Sequence, residues 1–239
     1  MSAGALRVVV TCEHASCAVP PALRGLGLPA AVLRQHVGWD PGALPVARAI
    51  ARACGAPLRA GRWSRLVADL NRSEDHPRVI AARVLGRDVP GNTGLDAASR
   101  AARLRRYWRP FRRDCAGLVA AAVARGTCLH LSVHSFVEEL HGVERPYDIG
   151  LLFHPQRSRE RAVVTALQGA LRAEGFTVRK NAPYFGHTDG HTQRLRAAHP
   201  AGRYLGIEIE LNQRLARTVA GQRRFAAAFA RAVPAVRNA

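Results

Sequence analysis

Glu13-His14, Asp40, Asn71-Arg72, His134-Ser135 and the pair Glu208 and Glu210 are the places where this chain carries side chains suited to hydrolysis. Two neutral imidazoles and one carboxylate, with a fourth position left open for water, make up the ligand set of many catalytic zinc sites. His14 and His134 supply the imidazoles, and Glu13 or Asp40 the carboxylate. If residues 12–14 are extended, Glu13 and His14 point to opposite faces, which favours Asp40. Asp40-Pro41 is also a common helix-start signal, so that aspartate has a structural reading beside the chemical one. Ten histidines furnish such pairs by chance, and the weight of these residues depends on the elements that carry them.

Leu6–Thr11 is a β-branched run that ends at Cys12-Glu13-His14, the pattern of a buried strand delivering polar groups at its C-terminal end. Residues 29–35 and 42–54 have apolar residues at helical spacing, and a second strand is expected near 57–61. Arg65–Leu70 alternates polar and apolar and reads as a strand running into Asn71-Arg72. A long helical pattern over 96–124 ends near Gly126, before the apolar run Thr127–Val133 that leads into His134. Strands are expected at 149–153 and 177–179, with a helix over 157–174 between them that stops at Gly175. Tyr204–Leu211 is the last strand, and its alternation puts Glu208 and Glu210 on one face. Residues 213–233 form a closing helix. The stretch 181–203, rich in Gly, His, Pro and Thr, reads as a long loop of functional type. Strands alternating with helices predict an α/β single-domain three-layer sandwich over residues 1–239, with a mixed, mainly parallel central sheet and polar residues gathered at its strand ends.

The 239 residues, 48% hydrophobic and 22% charged, suit one globular unit rather than a disordered chain. A net charge of +19 raises nucleic acid as a partner. The excess is almost all arginine dispersed among alanines, with Lys180 the only lysine, so no clustered phosphate-binding patch is indicated. A polyanion-binding protein without catalysis is the rival class, and it gives no reason for polar residues to gather at strand ends. Five unpaired-looking cysteines suggest reduced thiols. The N-terminus lacks the form of a secretory signal and no 18-residue apolar run occurs, so a cytoplasmic protein away from membranes is expected.

Seven stretches, in order, carry a resemblance: Thr11-Cys12-Glu13-His14-Ala15, His36-Val37-Gly38-Trp39-Asp40-Pro41-Gly42-Ala43, Ser64-Arg65-Leu66-Val67-Ala68-Asp69-Leu70-Asn71-Arg72, Pro90-Gly91-Asn92, Val133-His134-Ser135-Phe136, Arg145-Pro146 and Ile207-Glu208-Ile209-Glu210. Together they resemble the N-formylglutamate amidohydrolase family. The resemblance implies a zinc carboxypeptidase-like fold, with Zn²⁺ held by His14, Asp40 and His134. It also implies a glutamate from the last strand, Glu210 or Glu208, as the base acting on water. Asn71 and Arg72 resemble a substrate-carboxylate clamp, for which a planar guanidinium is suited. Arg65 is implied as a support or carbonyl-polarising group, and Arg145 as a further substrate contact. His187 and His191 fall in a region that in the family is a substrate loop, read here as a lid. The implied substrate is a small N-acyl amino acid with a free carboxylate; short peptides and cell-wall amides are the alternatives.

Overall fold

The computed structural model describes residues 6–237. Its strands are β1 (Leu6–Cys12), β2 (Leu58–Ala60), β3 (Arg83–Val84), β4 (Arg87–Asp88), β5 (Thr127–Phe136), β6 (Glu139–Leu140), β7 (Val143–Glu144), β8 (Ile149–Leu152), β9 (Val178–Lys180) and β10 (Tyr204–Asn212). Its α-helices are α1 (Ala30–Leu33), α2 (Ala43–Cys54), α3 (Ala97–Arg103), α4 (Arg109–Arg125), α5 (Ser158–Ala173), α6 (His191–Ala198), α7 (Gln213–Ala216) and α8 (Val219–Arg237). Among the described residues, six strands make one sheet in the order β2-β1-β5-β10-β8-β9. The first four run parallel, while β8 pairs antiparallel with β10 and parallel with β9. This is the mixed, mainly parallel α/β sandwich expected from the sequence.

The two faces of the sheet differ in chemistry because residue type alternates along its central strands. On one face Val10, Leu131, Ile207 and their neighbours pack against α2, α5 and α8, with Ile50, Leu167 and Phe229 buried in the joint. Burial of this kind contributes about 25 cal/mol per Å² of apolar area, which makes this layer the main source of stability. The opposite face carries Thr11, His130, Ser132, His134, Glu208 and Glu210, all buried. There α4 and α6 cover Val9, Cys128 and Tyr204 with Val119 and Leu195. Registry sets Ser132 beside Glu208 and His134 beside Glu210, so side chains distant in sequence share one face by strand pairing alone.

Four expectations are corrected. Residues 65–70 form no strand: Val67 N donates to Ser64 O at 2.9 Å and Arg72 N to Asp69 O at 3.1 Å, a succession of turns. Leu66, Val67, Ala68 and Leu70 are all buried, the first two in one apolar cluster and the last two in another, so the apparent alternation reflects a segment packed on both sides. Within 181–203, α6 is an ordered helix, with Thr192, Leu195 and Arg196 buried beneath it. The closing helix is divided into α7 and α8 at 217–218. The run that starts at Thr127 also extends to Phe136, which places His134 inside β5 rather than beyond it. Cys12, Cys17, Cys115 and Cys128 are free thiols, and no helix among the described residues is long and apolar enough to cross a membrane.

Candidate metal centre and active site

His14 lies in the turn that follows β1, two residues past its end, His134 lies near the end of β5, and Asp40 lies just ahead of α2. The Asp40 amide donates to His14 O at 2.9 Å, which ties that turn to the strand exit. The helix itself begins at Ala43 after Gly42, so the Asp40 side chain is not its cap. Asp40 Oδ2 instead lies 3.2 Å from His14 Nδ1 and 3.0 Å from His134 Nδ1. One ligand atom from each of the three falls within 4.8 Å of the others, and all three residues are buried.

The far side of each imidazole is also held by a carboxylate. His14 Nε2 donates to Asp69 Oδ1 at 2.7 Å. Around His134, Ser132 Oγ gives its single proton to Glu13 Oε2 at 2.7 Å, so it accepts from His134 Nε2 at 2.9 Å. Both rings are thereby fixed with Nε2 protonated and Nδ1 turned toward Asp40. Carboxylate-backed imidazoles of this kind are a recurrent feature of metal sites, since the outer partner sets tautomer and raises ligand basicity. Glu13 is therefore a support behind His134 and not a member of the cluster; residues 13–14 form a turn rather than extended chain, so this placement does not come from strand alternation.

A divalent cation fits this donor set on two grounds. The cluster is two ring nitrogens and a carboxylate, and Asp40 Oδ1 is buried without a hydrogen-bond partner. The surroundings are also rich in buried negative charge. Asp40 stays well below the ordinary carboxylate range against the opposing effect of burial, because His14, His134 and Arg65 surround it. Burial disfavours the charged His134 ring, yet the bonds to Asp40 and Glu13 raise its pKa well above that of a free imidazole.

A cavity of about 360 Å³ opens on this cluster. Arg65, Asn71, Arg72, Glu208 and Glu210 line it together with the three cluster residues. Arg65 donates through Nη2 and Nε to Asp69 Oδ2, at 2.9 and 3.3 Å, and its Nη1 stands 3.6 Å from Asp40 Oδ1. Arg72 reaches Asp189 O at 3.4 Å, with its nearest carboxylate oxygen, from the same Asp189, at 3.9 Å. Its backbone is fixed from α4 and the π-helical turn before it, where Arg112 and Trp108 donate to Arg72 O at 3.3 and 3.1 Å. Asn92, from the Pro-Gly-Asn stretch, donates to Leu66 O and Ala81 O and so staples both ends of the segment that carries Arg65 and Arg72.

The two glutamates of β10 are not equivalent. Glu208 accepts from Thr192 Oγ1 at 2.5 Å and from Asn71 Nδ2 at 3.4 Å. Glu210 Oε2 is buried with no partner. Burial pushes the Glu210 carboxyl up to about 8, with Asp40 and Glu208 adding to the rise.

Three sequence-derived substrate contacts lie outside the cavity lining. His191 is buried behind Glu13, with Nδ1 donating to Oε1 at 2.8 Å, so it supports the support. His187 is exposed beside His154 and Phe185. Arg145 stands over the Phe136 and Tyr184 rings, at 6.0 and 5.4 Å. Sequence reasoning also gave no role to Asp69, although it lies within the Ser64–Arg72 stretch, four positions after Arg65. It missed the chain behind Glu13 as well, where Tyr204 donates to His130 Nδ1 at 2.7 Å, His130 Nε2 to Thr11 Oγ1 at 2.8 Å, and Thr11 to Glu13 at 2.8 Å.

The sequence pattern of the N-formylglutamate amidohydrolase family matches residues 6–216. Among solved structures, a gene product of Agrobacterium tumefaciens is similar at 34% identity, over 96% of this chain and 89% of that one, with a TM-score of 0.85. An N-formylglutamate amidohydrolase from Ralstonia eutropha shares the fold at 23% identity, over 99% of this chain and 96% of that one, with a TM-score of 0.72. No curated protein matches the chain. The family match places the protein among the amide-bond hydrolases. More narrowly, it belongs to the N-formylglutamate amidohydrolase family.

Proposed function

We propose that the protein is a metal-dependent hydrolase of small N-formyl or N-acyl amino acids, with Zn²⁺ held by His14, Asp40 and His134. The observation that carries this reading is the convergence of the two Nδ1 atoms on Asp40 Oδ2, with Asp69 and Glu13 fixing the opposite ring nitrogens. A divalent ion in that position supplies Lewis acidity, polarising the amide carbonyl and favouring the deprotonated forms of nearby acids.

The chain's own groups then divide the remaining work. Glu210, unpaired and displaced upward in pKa, accepts the proton of the attacking water and returns it to the leaving amine. Arg72 binds the substrate carboxylate, and Asn71 holds Glu208 in place beside it. Arg65, pinned by Asp69, keeps a fixed positive charge beside the reacting carbonyl, where preorganised charge counts most.

Purified protein should contain close to one zinc per chain by elemental analysis and should hydrolyse N-acyl amino acids. Dialysis against a strong chelator should abolish turnover, and added zinc should restore it. Undiminished hydrolysis by protein shown to be metal-free would reject the proposal.

A further inference from the structure

The mouth of the cavity is apolar in a way that an N-acyl acidic amino acid does not require. Among the described residues, five large hydrophobic side chains are exposed, and Leu85, Tyr184 and Phe185, at 52, 42 and 59% exposure, line this one cavity. Exposed apolar side chains that line one cavity mark a binding surface more often than scattered single residues do.

The backbone strengthens the point. β3 and β4 are joined by the two-residue turn Leu85-Gly86, with φ of 45° and 77°. β6 and β7 are joined by His141-Gly142, with φ of 54° and 75°. Turns of this type favour Asn or Asp at the first position, because other L residues pay about 1–2 kcal/mol to enter the left-handed region. Leu85 sits in that unfavourable position, His141 stands at the matching place in the second turn, and both line the cavity.

The charges inside argue for a single substrate carboxylate. Asp40, Asp69, Asp189, Glu208 and Glu210 line the cavity against only Arg65, Arg72 and Arg78. Arg65 is taken up by Asp69 and Asp40, and Arg78 is exposed, where an ion pair is worth little. Arg72, which touches no carboxylate by a hydrogen bond and stands 3.9 Å from Asp189 Oδ2, is the cation left to receive a substrate carboxylate.

We propose that the preferred substrates are N-acyl amino acids with one carboxylate and one aromatic-sized apolar group, received by Leu85, Tyr184 and Phe185, in preference to N-acyl derivatives of acidic amino acids. This rests on the amidohydrolase reading for the reaction, but its test does not depend on turnover. Sulfonamides resist amide hydrolysis and report binding alone, so titration calorimetry on the zinc-loaded protein compares N-methanesulfonyl-L-phenylalanine, N-benzylsulfonylglycine and N-methanesulfonyl-L-glutamate. One of the first two should bind at least about tenfold more tightly than the third, the scale expected when an apolar group gains or loses its pocket. Which one does so tells whether the apolar group lies on the amino-acid or the acyl side. Phe185→Ala, an exposed position that folding tolerates, should remove most of that margin and leave the glutamate compound unchanged. Equal or tighter binding of the glutamate compound, or a margin untouched by Phe185→Ala, overturns the inference. Selective binding with no hydrolysis of the matching N-formyl and N-acyl amides upholds the apolar site and rejects the hydrolase reading instead.

Discussion

Glu13 shows how a residue can govern a reaction it does not touch. Its carboxylate is wholly buried and accepts from Thr11, His191 and Ser132. Burial alone would raise its pKa, yet the bonds from His134 and His191 keep it well below the ordinary range, so it stands as a fixed anion behind the His134 ring. Glu13→Gln replaces an acceptor by an amide whose NH₂ meets the donors Ser132 and His134, and the ring loses the partner that turns Nδ1 toward Asp40. Zinc affinity should fall roughly 10–100-fold, the usual effect of losing a ligand's outer partner, as read by competition with a chromophoric chelator. Glu210→Gln is the contrasting substitution, expected to keep zinc affinity and lose kcat. Unchanged zinc affinity in Glu13→Gln would mean that His134 is oriented by other means.

Elements rather than residues decide which parts of this arrangement are legible in sequence. The strands that carry His134, Glu208 and Glu210, and the one that leads into His14, announce themselves, because β-branched runs end in polar groups and alternate with them. The segment holding Arg65, Asp69 and Arg72 does not. Its order comes from Asn92 and Arg112, which bind Leu66 O and Leu70 O across 26 and 42 residues, and local periodicity carries no trace of such ties. The helix α6 was hidden for a related reason: a His-, Thr- and Gly-rich composition reads as loop, while the burial that stabilises it is tertiary. Close approach of elements is equally invisible until the chain is folded. A Cβ on Gly150 of β8 would stand 1.9 Å from Ala182 O and 3.2 Å from Glu210 Cβ. Gly150→Ala must push the segment around Ala182 off β8, with Glu210 giving way by a few tenths of an ångström. Overpacking of this kind costs about 1–3 kcal/mol, which for a chain of this size lowers Tm by roughly 2–12 °C. Calorimetry on the variant measures the shift, and an unchanged Tm would show that the 181–190 segment yields freely.

At the scale of the whole molecule, one face of the sheet is filled with apolar side chains and the other with buried polar ones. The second face makes the fold sensitive to acid. Burial and the nearby His191 lower the pKa of His130 to about 3, and burial with Arg65 lowers that of His36 to about 4. Both rings are thus neutral in the folded state, whereas in the unfolded chain they titrate near 6.5. Above that pH they contribute no pH dependence. As pH falls below it, the unfolded chain takes up protons that the folded one refuses, and stability is lost progressively toward the folded values. At pH 5 the loss is about 2 kcal/mol for each histidine. Glu210 acts in the opposite sense between about 4.5 and 8, since its proton is retained only in the fold. It is common to wild type and to His130→Gln, so it cancels in their difference. His130→Gln removes one titrating ring and is expected to be less stable than wild type at pH 7, since Tyr204 and Thr11 lose a well-placed partner. The gap in Tm between the two metal-free proteins should then narrow by roughly 4–8 °C between pH 7 and pH 5. A gap that stays constant with pH would mean that His130 takes up a proton in the folded protein, and the donor order from Tyr204 through Thr11 to Glu13 would have to be redrawn.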